Sequence, residues 1–247
     1  MKTASRAAGG LITSLALALT AASADERPAL SKEEIASRLN GVQPDDISES
    51  PVDGIYQVAV GADVAYVTED GRYVLQGDIY DLETRQNVTE KTRARARVSA
   101  IASVDRDHMI VFSPKDGNVK HTITIFTDID CGYCRQFHRD IDKVNALGIE
   151  VHYLFYPRTG PNTESWEKAE KVWCVGPEKR NEALTRAKLG GSVPDKTCED
   201  TPVDEHFELG RLVGVRGTPA IFDENGELLG GYLSPATLAK VLDGDQG

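Results

Sequence analysis

The sequence predicts an α+β protein of two unequal units joined by a helix and preceded by an export signal. Three observations carry this reading. An apolar N-terminal run lies between basic residues and a cluster of small ones. Short alternating segments fill residues 55–80 without a single cysteine. From residue 108 onward, apolar strand-like runs alternate with helical patterns, and one of those junctions carries Cys131-Gly132-Tyr133-Cys134.

Lys2 and Arg6 form the positive region of the signal, residues 11–20 are mostly apolar, and Ala22-Ser23-Ala24 offers a small-residue cleavage site. Residues 1–24 therefore read as a signal peptide, with the mature chain starting at Asp25. The apolar run is shorter than the roughly 20 residues a spanning helix needs. No later segment is long and apolar enough to cross a bilayer, so no membrane insertion is expected. Lys and Arg number 28 against 39 Asp and Glu, a formal charge of −11. Such an acidic surface argues against nucleic acid as a partner, because that binding relies on cations that neutralise phosphates.

Residues 25–84 read as a small α+β domain. Ser31-Lys32-Glu33-Glu34 fits a capping box and predicts a helix running towards Asn40. Strands are predicted over 55–60, 64–68 and 73–80, with turns at Gly61-Ala62-Asp63 and Glu69-Asp70-Gly71. One helix and three strands give a thin core for roughly 60 residues. A unit of that kind completes itself by pairing an open sheet edge with a second copy, so this segment is expected to dimerise.

Residues 85–107 read as a linker helix, with Thr89 as its N-cap. Lys91, Arg93, Arg95 and Arg97 alternate with small residues and read as a solvated helix face rather than an anion-binding patch. Asn87-Val88-Thr89 matches a glycosylation sequon, which one tripeptide supports only weakly.

Residues 108–247 read as an α/β domain. Strands are predicted over 109–112, 119–127 and 149–155, with a helix over 132–147 between the last two. Helical patterns follow over 166–174, 177–189 and 202–213. Residues 220–222 and 228–232 read as strands around an Asn225-Gly226 turn, and Ser234 caps a last helix with Pro235 at its first position. Trp166 and Trp173, seven apart on one helix face, read as core.

The chemistry lies in the cysteines. A strand that turns into a helix at Cys131 puts that sulfur at a helix N-terminus, where unpaired N–H groups and the helix dipole favour a thiolate. Cys134, one turn on, is placed to close a small disulfide ring with it. Cys131 is the expected nucleophile and the more exposed of the two, with Cys134 the resolving thiol. Gly132 and Tyr133 between them are expected to tune the Cys131 thiol. A zinc site is disfavoured, because it needs four ligands and no second Cys-x-x-Cys exists. Four cysteines allow three connectivities. A Cys-x-x-Cys that opens a helix favours Cys131 with Cys134, leaving Cys174 and Cys198 as the second pair. The latter reads as a structural staple, with a second redox pair as the alternative.

The stretch Ile125-Phe126-Thr127-Asp128 before the cysteines, the segment from Tyr153 to Pro157-Arg158, and Gly217-Thr218-Pro219 before a short apolar strand together resemble the DsbC/DsbG family of periplasmic disulfide isomerases, within the thioredoxin superfamily. The similarity spans nearly the whole mature chain, including Asn87-Val88-Thr89 and Trp173-Cys174. The resemblance implies a V-shaped homodimer with cystatin-like N-terminal dimerisation domains, linker helices, and thioredoxin-like catalytic domains with a helical insertion. It implies Cys131 as the attacking thiolate, Cys134 as its partner, Pro219 as a cis-proline beside Thr218 facing the pair, and a structural Cys174–Cys198 disulfide. No cofactor and no metal are implied. The implied partners are misoxidised exported proteins in the periplasm and a membrane reductase of the DsbD type that keeps the pair reduced. The linker departs from the family pattern, with fewer large apolar residues over 92–98. A dithiol oxidase, a holdase chaperone with incidental cysteines, and the DsbG type of activity are the competing readings.

Overall fold

The computed structural model describes residues 28–244; the signal-peptide expectation lies outside the described residues. The chain begins with α1 (Lys32–Ala36), whose N-cap Ser31 and Glu34 bond reciprocally as a capping box. It is one turn long, because Ser37 and the turn after it end it well before Asn40. A four-stranded antiparallel sheet follows, made of β1 (Ile47–Glu49), β2 (Ile55–Val60), β3 (Asp63–Thr68) and β4 (Val74–Leu75), in that spatial order. Ile35 and Ala36 of α1 pack on Ile47, Val58 and Val67, a small core under one face of the sheet.

Two features of this unit differ from the sequence expectation. β1 is an extra edge strand, paired Ile47 to Val58, too short and polar to show an alternating pattern. The strand expected over 73–80 is broken. Its first part is β4, and its end forms a separate hairpin of β5 (Tyr80–Asp81) and β6 (Gln86–Asn87). The break falls at Gly77, whose φ of 151° is open to glycine, and at Asp78, whose carboxylate is drawn to Arg93 and Asn87.

α2 (Val88–Ala102) is capped by Asn87, whose Oδ1 accepts from the Glu90 amide at 2.9 Å. Thr89 is not the cap but a buried residue, its hydroxyl 2.5 Å from the Tyr66 hydroxyl and accepting from Ile79 N at 2.8 Å. The basic run is not a uniformly solvated face either. Arg97 is 5 % exposed and donates to the carbonyls of Val213 (3.0 Å) and Gly226 (3.3 Å), while Glu90 and the Phe222 ring neutralise and cover it. α2 thus runs onto the second unit, where Ala100, Ile101 and Val104 pack on Phe126, Leu154 and Phe222.

That unit is built on a five-stranded sheet. Its strands are β7 (Ile110–Phe112), β8 (His121–Thr127), β9 (Ile149–Phe155), β10 (Ala220–Phe222) and β11 (Leu228–Gly230), in the order β11-β10-β8-β9-β7. β8 and β9 are parallel, joined through α3 (Gly132–Arg139) and α4 (Ile141–Ala146); the other pairings are antiparallel. The single helix expected here is divided at Asp140, which ends α3 with φ −101° and ψ 13° and starts α4. Then come α5 (Glu164–Trp173), α6 (Arg180–Lys188) and α7 (Val203–Leu212), with α8 (Pro235–Leu242) last, capped by Ser234. β8 and β9 are buried on both faces, which is why they read as nearly continuous apolar runs. One face carries α3 to α6 and α8 around Phe137, Trp166, Trp173 and Leu184. The other carries α7 and the end of α2.

Candidate active site

The site forms where β8 ends. Cys131 is the N-cap residue of α3, with extended backbone, and Cys134 lies in the first helical turn. The Cys131 amide donates to Asp128 O at 3.2 Å and the Arg135 amide to Cys131 O at 3.0 Å, so strand end, turn and helix lock one another. Opposite, the Thr218–Pro219 peptide bond is cis and leads into β10. The Cys131 thiol donates to Thr218 O at 3.1 Å, which brings Cys131, Cys134, Thr218 and Pro219 into one place from two distant stretches of chain.

Exposure does not distinguish the two sulfurs as expected. Cys131 is 2 % exposed and Cys134 1 %; the Thr218–Pro219 segment lies across from the first, and Thr127, Asp128 and Lys188 stand around the second. Chemistry distinguishes them instead. Burial pushes the Cys131 thiol up, but the Thr218 hydroxyl, the amide and thiol of Cys134 and the positive field of Arg158 outweigh it, leaving the group below its ordinary value. Thr218 Oγ1 is buried without a partner, and an anion on Cys131 provides the acceptor it lacks. Burial raises the Cys134 thiol, and there it prevails, against Lys188, the Asp128 amide and the Thr127 hydroxyl. Gly132 has open space where a Cβ would lie, and Tyr133 is 64 % exposed, so the dipeptide forms the outer surface over the pair.

Around the sulfurs stands a polar frame that sequence reasoning missed. Asp128 is buried; burial raises its carboxyl, but Ser165 Oγ (2.6 Å), Arg158 N (3.0 Å), Asp130 N (2.8 Å) and Arg158 Nε (3.1 Å) all donate to it and hold it below the usual carboxylate range. Lys188, the last residue of α6, is wholly buried, its Nζ donating to Thr127 Oγ1 (2.5 Å) and Asp128 O (2.9 Å). One signal for Lys188 was present: it follows Leu184 by four residues, on the face of α6 that carries Ala183 and Ala187. His138 sits between the Tyr153 hydroxyl (3.1 Å) and Thr185 Oγ1 (2.9 Å); burial, helped by Lys188, drives it down to about 3, so it is a neutral core residue. Among the described residues, no three His, Cys, Asp or Glu side chains are placed to hold a metal ion. Cys174 and Cys198 are bonded to each other (S–S 2.02 Å), tying the end of α5 to the segment before α7.

A thiol held below its ordinary value, a second thiol within the same turn, and the Thr218–Pro219 segment lying across from them make up equipment for passing disulfides between chains. The class is that of thiol–disulfide oxidoreductases on the thioredoxin fold.

Within that class, a model of the disulfide bond isomerase N-terminal domain matches residues 19–90, and a thioredoxin-like domain model matches residues 113–244. The chain is 39% identical to the thiol:disulfide interchange protein DsbC of Dickeya dadantii over 94% of this chain and 93% of that one. It is 35% identical to DsbC of Escherichia coli K12, over 83% and 84% of the two chains. A solved disulfide interchange protein from Neisseria gonorrhoeae superposes with a TM-score of 0.50 at 26% identity, covering 58% of this chain and 99% of its own. The chain belongs to the DsbC family of thiol:disulfide interchange proteins. It is an enzyme of disulfide interchange.

Proposed function

We propose that the protein rearranges incorrect disulfides in exported proteins, with Cys131 as attacking sulfur and Cys134 as resolving sulfur. The observation that carries this reading is the placement of Cys131 at the start of α3, with Cys134 in its first turn and the cis Thr218–Pro219 segment 3.1 Å across from the Cys131 sulfur. The Cys131 thiolate attacks a substrate disulfide, forming a mixed disulfide and releasing one substrate thiolate. That thiolate attacks another substrate disulfide, the thiolate so released attacks the substrate sulfur of the mixed disulfide, and Cys131 leaves as the thiolate it began as. Where rearrangement stalls, Cys134 attacks Cys131 Sγ, the reduced substrate leaves, and the enzyme is left as a disulfide. A membrane reductase of the DsbD type in the periplasm then restores the dithiol.

The backbone around Thr218 and Pro219 takes an extended substrate segment by strand addition, with Gly132 and Tyr133 at its rim. It opens on a cleft of about 1000 Å³ whose other wall is the first sheet, through Val58, Val60 and Val64. Residues 25–84 form the homodimerisation domain, 85–107 the linker helix and 108–247 the catalytic domain. The exposed apolar residues of the edge strand β4, Val74 and Leu75, and neighbouring Tyr73 support a second copy pairing there. The Cys174–Cys198 bond serves as a structural staple.

The test is refolding of a scrambled multi-disulfide protein with reduced wild type and with Cys131→Ser. Recovery is expected with the first and none with the second; recovery with both refutes the assignment. Cys134→Ser should accumulate mixed disulfides on non-reducing gels.

A further inference from the structure

Lys188 is the charged group the exchange reaction leaves unexplained. A buried ammonium is costly unless its surroundings use it. This one comes from α6, far in sequence from the cysteines, and ends beside the strand–helix junction that carries them. Its Nζ donates to the Thr127 hydroxyl and to the Asp128 carbonyl, and the latter also accepts the Cys131 amide. Because Thr127 Oγ1 accepts from Lys188, its own proton is free to point elsewhere, and the sulfur it faces is that of Cys134.

We propose that Lys188, acting through the Thr127 hydroxyl, is a positioning residue that readies Cys134 as a thiolate for the resolving step. The inference rests on Cys134 being the resolving thiol. In that step the Cys134 thiol gives its proton to water and the thiolate attacks Cys131 Sγ of the mixed disulfide. The Cys131–Cys134 bond forms, the Cys131–substrate bond breaks, and the substrate sulfur leaves with the electron pair and takes a proton from water. The enzyme dithiol is oxidised by two electrons and the substrate disulfide half is reduced. A thiolate forming at this buried site is disfavoured by burial, and beyond the Asp128 amide it depends on the Thr127 hydroxyl and Lys188 for support. Burial pulls the Lys188 ammonium below its ordinary value while Cys134, Asp128 and Cys131 favour its charged form; it lies one hydroxyl away, and the hydroxyl hands on a hydrogen bond as the thiolate charge develops.

Other charged and titratable groups surround this pair. Asp128 at the end of β8 is committed to Arg158 and Ser165, and Arg135 on α3 to Asp130 and Ile129 O. His138 on α3 is neutral, and burial pushes the Tyr153 hydroxyl on β9 far up, so it too is neutral. Arg158 bears on both sulfurs, but its side chain is engaged by Asp128. Lys188 is the cation joined to Cys134 through a hydroxyl, which separates it from these neighbours.

The experiment compares Lys188→Met, Thr127→Val and Thr127→Ser in the full chain. Alkylation of Cys134 is followed against pH in a Cys131→Ala background, and release of a fluorescent peptide from its mixed disulfide with Cys131 is timed with Cys134 intact. Lys188→Met and Thr127→Val should each raise the midpoint of Cys134 alkylation by about one pH unit and slow peptide release roughly tenfold at neutral pH. Thr127→Ser, which keeps the hydroxyl, should retain the wild-type midpoint. The initial attack by Cys131 on a peptide disulfide should stay within about twofold of wild type, a split that general damage to the fold would not produce. An unmoved Cys134 midpoint in both Lys188→Met and Thr127→Val overturns the inference. If Cys134→Ser also fails to trap mixed disulfides, the resolving role of Cys134 falls with it; if trapping persists, only the role of Lys188 falls.

Discussion

Thr218 is the residue that faces the Cys131 sulfur. It accepts the thiol proton on its carbonyl and offers a hydroxyl with no other partner to the anion. Thr218→Val keeps shape and removes the hydroxyl, so the alkylation midpoint of Cys131 should rise by about one pH unit, measured by iodoacetamide rates from pH 4 to 9. A second residue sets acid behaviour away from the site. Arg106, opposed by burial and joined by Ser113 and His152, holds the Glu150 carboxyl down to about 2, from an ordinary 4.5. A depressed carboxyl stabilises the fold above its unfolded value, and the contribution disappears as pH falls through the folded one. Glu150→Gln should therefore be less stable than wild type in urea melts at pH 7, with the gap closing between about pH 4.5 and 2. At this scale the cysteine pair was legible because a short local motif carries it, and the cis Thr218–Pro219 bond because of the family resemblance. Lys188 and Arg158 were not, because their meaning lies in a hydroxyl or carboxylate 61 and 30 residues away.

α2 is the element that joins the two units, and its attachment is made of backbone carbonyls as much as of apolar surface. Arg97 reaches Val213 O and Gly226 O, partners 116 and 129 residues along the chain, which is why an alternating basic run read as a solvated face. Gly226 makes the approach possible: with φ at +78°, a Cβ there would lie 2.2 Å from Ala94 O. Gly226→Ala should push α2 from the sheet and cost roughly 2 kcal/mol, read from chemical melts and from faster amide exchange across α2. The long sheet strands and most helix positions were readable from period and capping residues. Single-turn α1, the Gly77 break and the division at Asp140 were not, because neighbours rather than local pattern decide where those elements stop. The Cys174–Cys198 bond closes a separation of 24 residues around α6, and replacing both by alanine should cost about 3 kcal/mol in thermal or urea unfolding.

The whole molecule sets a thin four-stranded sheet against a five-stranded one, with the Thr218–Pro219 segment lining the cleft between them. Val74 and Leu75 of the edge strand β4, with neighbouring Tyr73, are exposed. Deleting residues 25–82 should leave a monomer by analytical ultracentrifugation, with weakened isomerase and stronger oxidase behaviour; a dimer would place the association surface elsewhere. The connectivity of the sulfurs also makes the two pairs separable by mass. Trypsin without reductant leaves Cys131 and Cys134 together on the 121–135 fragment, whose oxidation changes its mass by two hydrogens. Cys174 and Cys198 fall on fragments 172–179 and 197–211, which travel as one cross-linked species until the bond between them is cut. A single spectrum of protein quenched with acid therefore counts how many molecules in a cell stand armed, with the intact cross-link as its internal standard.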